Sequence, residues 1–181
     1  MKTRKIILLL ILGMVSVSLF AQKKSSGNNF STGTYDAYEW YSGIFDALDS
    51  PPVKNLPDGV NAVRLISMSS DPYYIVRLSW TKSMRVIVFT EGDESGTKIV
   101  RKKTLAVSEE SVKEFLALLE EKDFYNQPDY VHVSGRDGVT WFVEVNIDGK
   151  YKAVERCLMP PKTDFLRDIG RKLLRMVEIN Q

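Results

Sequence analysis

The residues of this chain that could do chemistry are mainly carboxylates near the C-terminal end. Glu144 and Glu155 fall in two segments predicted to pair as a β-hairpin, and Asp137 precedes the first of them. Two carboxylates about 5 to 9.5 Å apart across a sugar can hydrolyse a glycosidic bond. Hydrolysis of an envelope glycan by Glu144 with Asp137 or Glu155 is therefore one hypothesis. The alternative is that Glu144 is an ordinary cross-strand partner of Lys152.

A second candidate site is the polar loop that precedes this hairpin. The loop gathers amphipathic and charged side chains that are typical of contact surfaces, namely Tyr130, His132, Arg136 and Asp137. Because binding residues concentrate in loops on rigid scaffolds, we predict a binding site formed by these four residues together with Glu144. The alternative is an ordinary connection between two elements.

Other catalytic and cofactor sites lack the residues they need. A zinc site built on His and Cys requires several ligands, whereas the chain holds one His and one Cys. There is no Gly-x-Ser-x-Gly elbow for a nucleophilic serine and no phosphate-binding glycine motif. We therefore predict no catalytic triad, no metal and no cofactor. Cys157 cannot form an internal disulfide, so we expect a buried thiol, with intermolecular pairing as the alternative.

The register of the predicted hairpin decides where Glu144 points. A two-residue Asp148-Gly149 turn would pair Trp141 with Arg156 and Val145 with Lys152. A three-residue loop with a bulge at Gly149 would instead place Tyr151 opposite Val145.

We favour the three-residue loop, because it collects apolar side chains on one face and sets Glu144 opposite Lys152 on the other. This register sends Glu144 and Glu155 to opposite faces of the sheet, which weakens the hydrolase hypothesis.

The elements that position these residues follow from hydrophobic periodicity and turn residues. The pattern predicts helices at about 34–48, from Ser108 onward and from Thr163 onward, and strands at 60–68, 73–80, 84–90, 97–107, 140–146 and 150–157. Strands that are grouped and then joined by helices indicate an α+β fold. We expect an antiparallel meander sheet of about six strands packed against two or three helices, in one domain spanning residues 34–181.

The N-terminus has the three-part layout of a secretory signal. Met1 to Lys5 form a basic head, Ile6 to Phe20 carry no charge, and Ala21 is a suitable cleavage site. The apolar stretch is shorter than the roughly 20 residues of a stable span, although an uncleaved anchor and a cut after Ser18 are alternatives. We predict a signal peptide at 1–21, a flexible segment at 22–33, and no lipid anchor, since no cysteine lies near the cut.

Signal cleavage also changes the charge of the chain. The 25 basic residues lose Lys2, Arg4 and Lys5, which leaves 22 against 23 acidic residues, a net charge near −1. A nearly neutral domain has no strong field to attract nucleic acid, so we expect no nucleic-acid partner. After cleavage we also expect no membrane span.

The hairpin region resembles a known group of proteins. Asp137-Gly138-x-x-Trp141-x-x-Glu144, followed by Gly149-Lys150-Tyr151 and then Arg156, is similar to a pattern in small exported bacterial proteins of unknown function. The resemblance covers about thirty residues and the helix that follows. It implies a shared fold element and carries no activity with it.

Three hypotheses for the function therefore stand. The first is an exported, non-enzymatic binding protein of the periplasm or cell surface, with a protein partner in the envelope and an inhibitor-like or immunity-like role as one form. The second is the glycan hydrolase described above. The third is a small-molecule carrier, whose pocket would lie between Tyr74, Trp80 and the N-terminal aromatic helix.

Overall fold

The computed structural model describes residues 37–68, 73–131, 139–158 and 165–178. The predicted signal peptide, the segment 22–33 and Thr163, the predicted start of the last helix, lie outside the described residues. So do three of the predicted binding residues, His132, Arg136 and Asp137.

A single sheet of seven strands joins the first and second halves of the chain. The strands are β1 (Asn61–Met68), β2 (Tyr74–Trp80), β3 (Arg85–Gly92), β4 (Ile99–Ala106), β5 (Tyr130–Val131), β6 (Val139–Ile147) and β7 (Lys150–Leu158). Their order across the sheet is β4-β3-β2-β1-β6-β7-β5. The predicted antiparallel α+β fold is confirmed: β1 to β4 form the meander, β6 and β7 form the hairpin, and β1 pairs with β6.

Helices cover both faces of this sheet. They are α1 (Ala37–Ala47), α2 (Glu109–Glu121) and α3 (Phe165–Glu178). The larger core lies under α2 and α3, where Phe115, Leu119 and Ile169 pack on inward residues of the sheet such as Leu78. Ser108 caps α2 as predicted, because its hydroxyl accepts a hydrogen bond from the backbone N–H of Ser111 at 3.0 Å.

The opposite face carries a smaller core under α1. Tyr41 and Phe45 share one side of α1, as helical spacing predicts, and they pack on the sheet together with Leu48, which follows the helix. Tyr41 lies at β7, Phe45 at β1 and Leu48 at β3, so the helix crosses the sheet obliquely.

The hairpin turn differs from the favoured prediction. Trp141 lies opposite Arg156 and Val145 lies opposite Lys152, which is the register of the two-residue turn. Asp148 and Gly149 have φ of 50° and 79°, as a type I′ turn requires. The predicted pairs of Glu144 with Lys152 and of Val145 with Tyr151 are therefore wrong.

This register also overturns the expected separation of the two glutamates. Ala153 is opposite Glu144 and Phe142 is opposite Glu155, so both carboxylates lie on the α1 face of the sheet. The two are diagonal neighbours, and such strand positions are about 7–8 Å apart.

The connection after α2 has more structure than its polar composition predicts. It contains a short 3-10 helix at Phe124–Asn126, and Phe124 is fully buried in the larger core. The chain then adds β5, which pairs with β7 in parallel. The seventh strand was missed because two residues carry too little pattern to identify a strand.

Candidate functional site

Glu144, the predicted catalytic or binding residue, lies at the centre of the sheet under α1 and the segment that follows it. Its side chain has no exposed surface. Arg64, directly opposite on β1, donates from Nε to Glu144 Oε2 at 2.6 Å, and Tyr151 donates its hydroxyl proton to Oε1 at 2.8 Å. Both oxygens of the carboxylate are therefore occupied by protein donors, and no surface remains for a substrate to contact.

A second arginine extends this polar cluster across the sheet. Arg77 on β2 lies directly opposite Arg64 and points to the same face. Burial, with a smaller contribution from the positive charge of Arg64, lowers the pKa of Arg77 to about 10, and Glu144 acts in the opposite direction. The guanidinium is still charged at neutral pH, so the cluster holds two positive charges and one negative charge.

The cluster fixes the segment after α1 to the sheet. Arg64 Nη1 donates to the carbonyl oxygens of Ser50 and Pro51 at 2.9 and 3.1 Å, and Arg77 Nη1 donates to that of Pro51 as well. Asn146 Nδ2 donates to the carbonyls of residues 53 and 54, both at 2.8 Å. The carbonyls belong to a segment with no regular structure, and buried carbonyls need donors. These side chains therefore supply donors to the carbonyls and fix the segment to the sheet, which is a structural role.

The ring of Phe45 closes the cluster from above. The guanidinium carbon of Arg64 lies 3.4 Å from the centre of this ring, in the geometry of a cation–π contact. Sequence reasoning missed Arg64 and Arg77. The available signal was a single arginine in the middle of each of two otherwise apolar strands, because such a residue must find a buried partner.

Glu155 has a different environment from Glu144. It is half-buried, and Tyr41 of α1 donates its hydroxyl proton to Oε2 at 3.1 Å. Burial raises the pKa of Glu155, and the hydrogen bond from Tyr41 offsets part of this rise. The carboxylate thus links α1 to the outer part of the sheet.

Of the predicted binding loop, the structure describes the beginning only. Tyr130 is in β5 beside Glu155 of β7, and 52% of its surface is exposed. Asp129 forms an ion pair with Lys152 of β7 and accepts the backbone N–H of Glu155 at 2.8 Å. Tyr130 is therefore exposed at the outer edge of the sheet, whereas Glu144 is buried inside. The two residues do not form one binding surface.

The pocket expected for a small-molecule carrier is not formed by the predicted residues. Trp80 packs in the larger core and Tyr74 against it, under α2 and α3, whereas the aromatic helix α1 covers the opposite face. These side chains cannot line one pocket, so that part of the carrier hypothesis is wrong.

A cavity of about 340 Å³ lies elsewhere, between the end of α2 and the hairpin tip. Tyr125 and Lys150 at this cavity contact each other, since the lysine Nζ lies 4.0 Å from the centre of the ring. Across the described ranges there is no group of three or more His, Cys, Asp or Glu side chains that could hold a metal ion. The helices described here include none that is long and apolar enough to cross a membrane.

The described surface also has an open sheet edge, at β4. Six of the eight side chains of this strand are exposed, and Ile99 and Val100 expose 41% and 66% of their surfaces at its start. Arg101, Lys102 and Lys103 follow in the middle of the strand. Among the described residues, β3 is the sole strand that pairs with β4.

Comparison with known proteins finds no family model that matches this chain and no curated protein that matches it. The resemblance of the hairpin to small exported bacterial proteins stays a prediction.

Proposed function

We propose that this protein is an exported binding protein, which acts by holding a macromolecular partner in the cell envelope and not by catalysis. The observation that carries the proposal is the complete burial of Glu144. Glu144 is the carboxylate that the sequence most strongly indicated for catalysis. Both of its oxygens accept hydrogen bonds from Arg64 and Tyr151 inside the fold.

The contrast between the interior and the edges of the sheet supports the same proposal. The buried charges of Arg64 and Glu144, with the half-buried Arg77, hold the segment after α1, which is a structural task. The exposed groups with binding potential, Tyr130 at one edge and the basic strand β4 at the other, lie where a partner can reach them. Partner binding needs exposed, complementary groups and no reacting centre.

A capture experiment tests the proposal. The full chain with a C-terminal affinity tag is expressed in a bacterium, and envelope proteins are cross-linked, purified with it and identified. We expect a partner whose binding to the purified protein saturates in a titration. Failure to obtain any saturable partner at several salt concentrations would contradict the proposal.

A glycan panel distinguishes the hydrolase hypothesis. If the wild type cleaves a glycan and Glu144→Gln, still folded, does not, the protein is an enzyme and our proposal is wrong. Tyr151→Phe is the matched control, since it removes one hydrogen bond to Glu144 and keeps the carboxylate.

Export is tested separately from binding. The proposed signal peptide predicts that the mature protein, recovered from the periplasm or the medium, begins at Gln22. N-terminal sequencing checks this, and a mature protein that begins at Met1 would rule out cleavage. The binding proposal would survive that result, but its location in the envelope would not.

A further inference from the structure

We infer that β4 accepts an extended acidic peptide of a partner protein as an additional strand of the sheet. This inference rests on the proposed binding function and specifies the surface and the class of partner. Strand addition uses open backbone groups for affinity and side chains at alternate positions for specificity. Both features occur on β4.

The register of β3 and β4 shows which backbone groups are open. The N–H of Val107 donates to the carbonyl of Arg85 at 3.1 Å, and Val86 lies opposite Ala106. Hydrogen-bonded and non-hydrogen-bonded pairs alternate along an antiparallel ladder, so the odd-numbered residues of β4 bond to β3. The even-numbered residues Lys102, Thr104 and Ala106 therefore direct their N–H and C=O groups away from the sheet.

The side chains at these same positions are exposed on the face of the sheet, so the neighbouring side chains of an added strand can lie beside them. Lys102, Thr104 and Ala106 are all exposed, whereas Lys103 and Leu105 between them are half-buried. Within the part of the chain that the structure describes, no second strand pairs with this edge, and β4 contains no proline. Three consecutive outward positions are enough for a short ladder of six backbone hydrogen bonds, two from each residue.

The charge of the edge selects the occupant. Residues 97–107 include Lys98, Arg101, Lys102 and Lys103 and no acidic residue. Arg101 is paired with Glu91 at 2.7 Å and Lys102 with Asp49 at 2.6 Å, which leaves two positive charges without an ion pair to any described residue. A strand with acidic side chains at alternate positions would supply the missing partners.

A second copy of this chain fits the edge poorly. Antiparallel self-pairing centred on Lys102 would place that lysine against its own copy and Arg101 against Lys103, and pairing in any register would bring the basic residues of both strands together. Like charges directly opposite each other destabilise a strand pair. Lysines at an open edge commonly prevent such self-association, and the same lysines attract an acidic strand.

Peptide titration with backbone detection tests the inference. The probe is a fluorescent eight-residue peptide of alternating glutamate and valine, and the reference is the same peptide with lysine in place of glutamate. We expect the acidic peptide to bind the full chain at least tenfold more tightly than the lysine peptide. We also expect the amides of Lys102, Thr104 and Ala106 to become protected from hydrogen exchange, while those of Lys103 and Leu105 change little.

Two controls separate strand addition from simple charge attraction. An acidic peptide N-methylated at alternate residues keeps its charge but cannot complete the ladder, so its affinity should fall at least tenfold. Equal binding of the methylated peptide, or of single-stranded DNA of the same charge, would overturn the inference. So would an absence of binding at millimolar peptide. These controls need no protein variant and therefore do not depend on the folding of one.

A protein variant links the edge to the proposed function. Thr104→Pro removes one outward N–H, places a ring in the edge and leaves the ladder to β3 intact. If folded Thr104→Pro loses both the peptide and the captured partner, the inference holds. If it still captures the partner with full affinity, β4 is not the docking edge, although the binding function stands. If the wild type captures no partner at all, the proposed function fails and the inference fails with it.

Discussion

Gly170 of α3 lies directly against the indole ring of Trp141 in β6. A Cβ atom built on Gly170 would be 2.2 Å from Cζ3 of that ring and 2.6 Å from Cε3. The indole cannot withdraw without loss, because its Nε1 donates to the hydroxyl oxygen of Ser67 at 2.9 Å inside the core. The absence of a side chain at position 170 therefore sets how closely α3 approaches the sheet.

Gly170→Ala should consequently destabilise the protein even though alanine favours helices. Overpacking a filled core costs about 1–3 kcal/mol, and the helix propensity gained is about 1 kcal/mol. We expect a lower free energy of unfolding in urea. The matched control is Gly43→Ala in α1, where the new Cβ meets nothing within 4 Å and should stabilise by roughly 0.5–1 kcal/mol. Equal effects at both positions would contradict the packing of α3 described above.

Glu144→Gln should destabilise strongly, because it leaves the buried Arg64 and the half-buried Arg77 without a counter-charge. Removing one partner of a buried ion pair costs about 3–5 kcal/mol. The partly exposed pair of Glu91 and Arg101 supplies the control, since Glu91→Gln should change stability much less. The measurement is the free energy of unfolding in urea for each single variant.

A double variant tests whether the loss comes from the unpaired charge. Arg64→Met combined with Glu144→Leu should be more stable than either single variant, since apolar residues of similar volume can replace a buried pair. A double variant as unstable as the sum of the two single ones would show that the pair is not coupled.

Glu155 should make stability depend on pH in the acid range. Its pKa is raised in the folded protein, so its favourable contribution is complete below the pKa of the unfolded chain and is lost as the pH rises through the folded pKa. The advantage of Glu155→Gln over the wild type should therefore grow across this window and stay constant above it. Urea unfolding at a series of pH values measures this. Glu94→Gln, in an exposed loop, controls for the loss of one negative charge, and the same pH profile in both variants would remove Glu155 as the cause.

The two-residue turn predicts which backbone atoms of the hairpin are close. Nuclear Overhauser contacts should join Val145 to Lys152 across the strands, and contacts from Val145 to Tyr151 as its opposite residue would contradict the register. Gly149→Ala should cost about 1–2 kcal/mol, because a side chain is disfavoured at its positive φ. Asp148→Asn keeps a residue suited to the first position and should be nearly neutral.

Local sequence patterns predict most of the helices and strands, and they fail where a residue distant in the chain determines the register or the contacts. Neighbouring residues are enough to predict the aromatic spacing of α1, the cap of α2 at Ser108 and the strands of the meander, and the structure contains all three. Neighbouring residues did not predict the register of β6 and β7, because matching Glu144 to Lys152 assumed a partner in the same hairpin. Its partner is Arg64, 80 residues earlier in the chain.

The candidate site was predicted less well for the same reason. Glu144 is buried because α1 and the segment after it cover this part of the sheet, and Arg64 holds that segment at the carbonyl of Pro51. Neither α1 nor this segment has a sequence signal that links it to β6. The basic residues of β4 lie on an outer strand of the sheet. The sequence does not tell which backbone N–H and C=O groups of β4 face outward. That assignment needs the register of β3 and β4, since a shift by one residue would exchange the inward and outward groups.

The pairing of β1 with β6 has a consequence for the time at which this protein can fold. The meander can form early, but one side of β1 stays open and Arg64 has no counter-charge until β6 arrives from the other end of the chain. Closure of such distant pairs is slow, since the intervening loop must be ordered first. A chain that crosses a membrane unfolded benefits from this delay, because its fold cannot be completed before almost all of it has passed through.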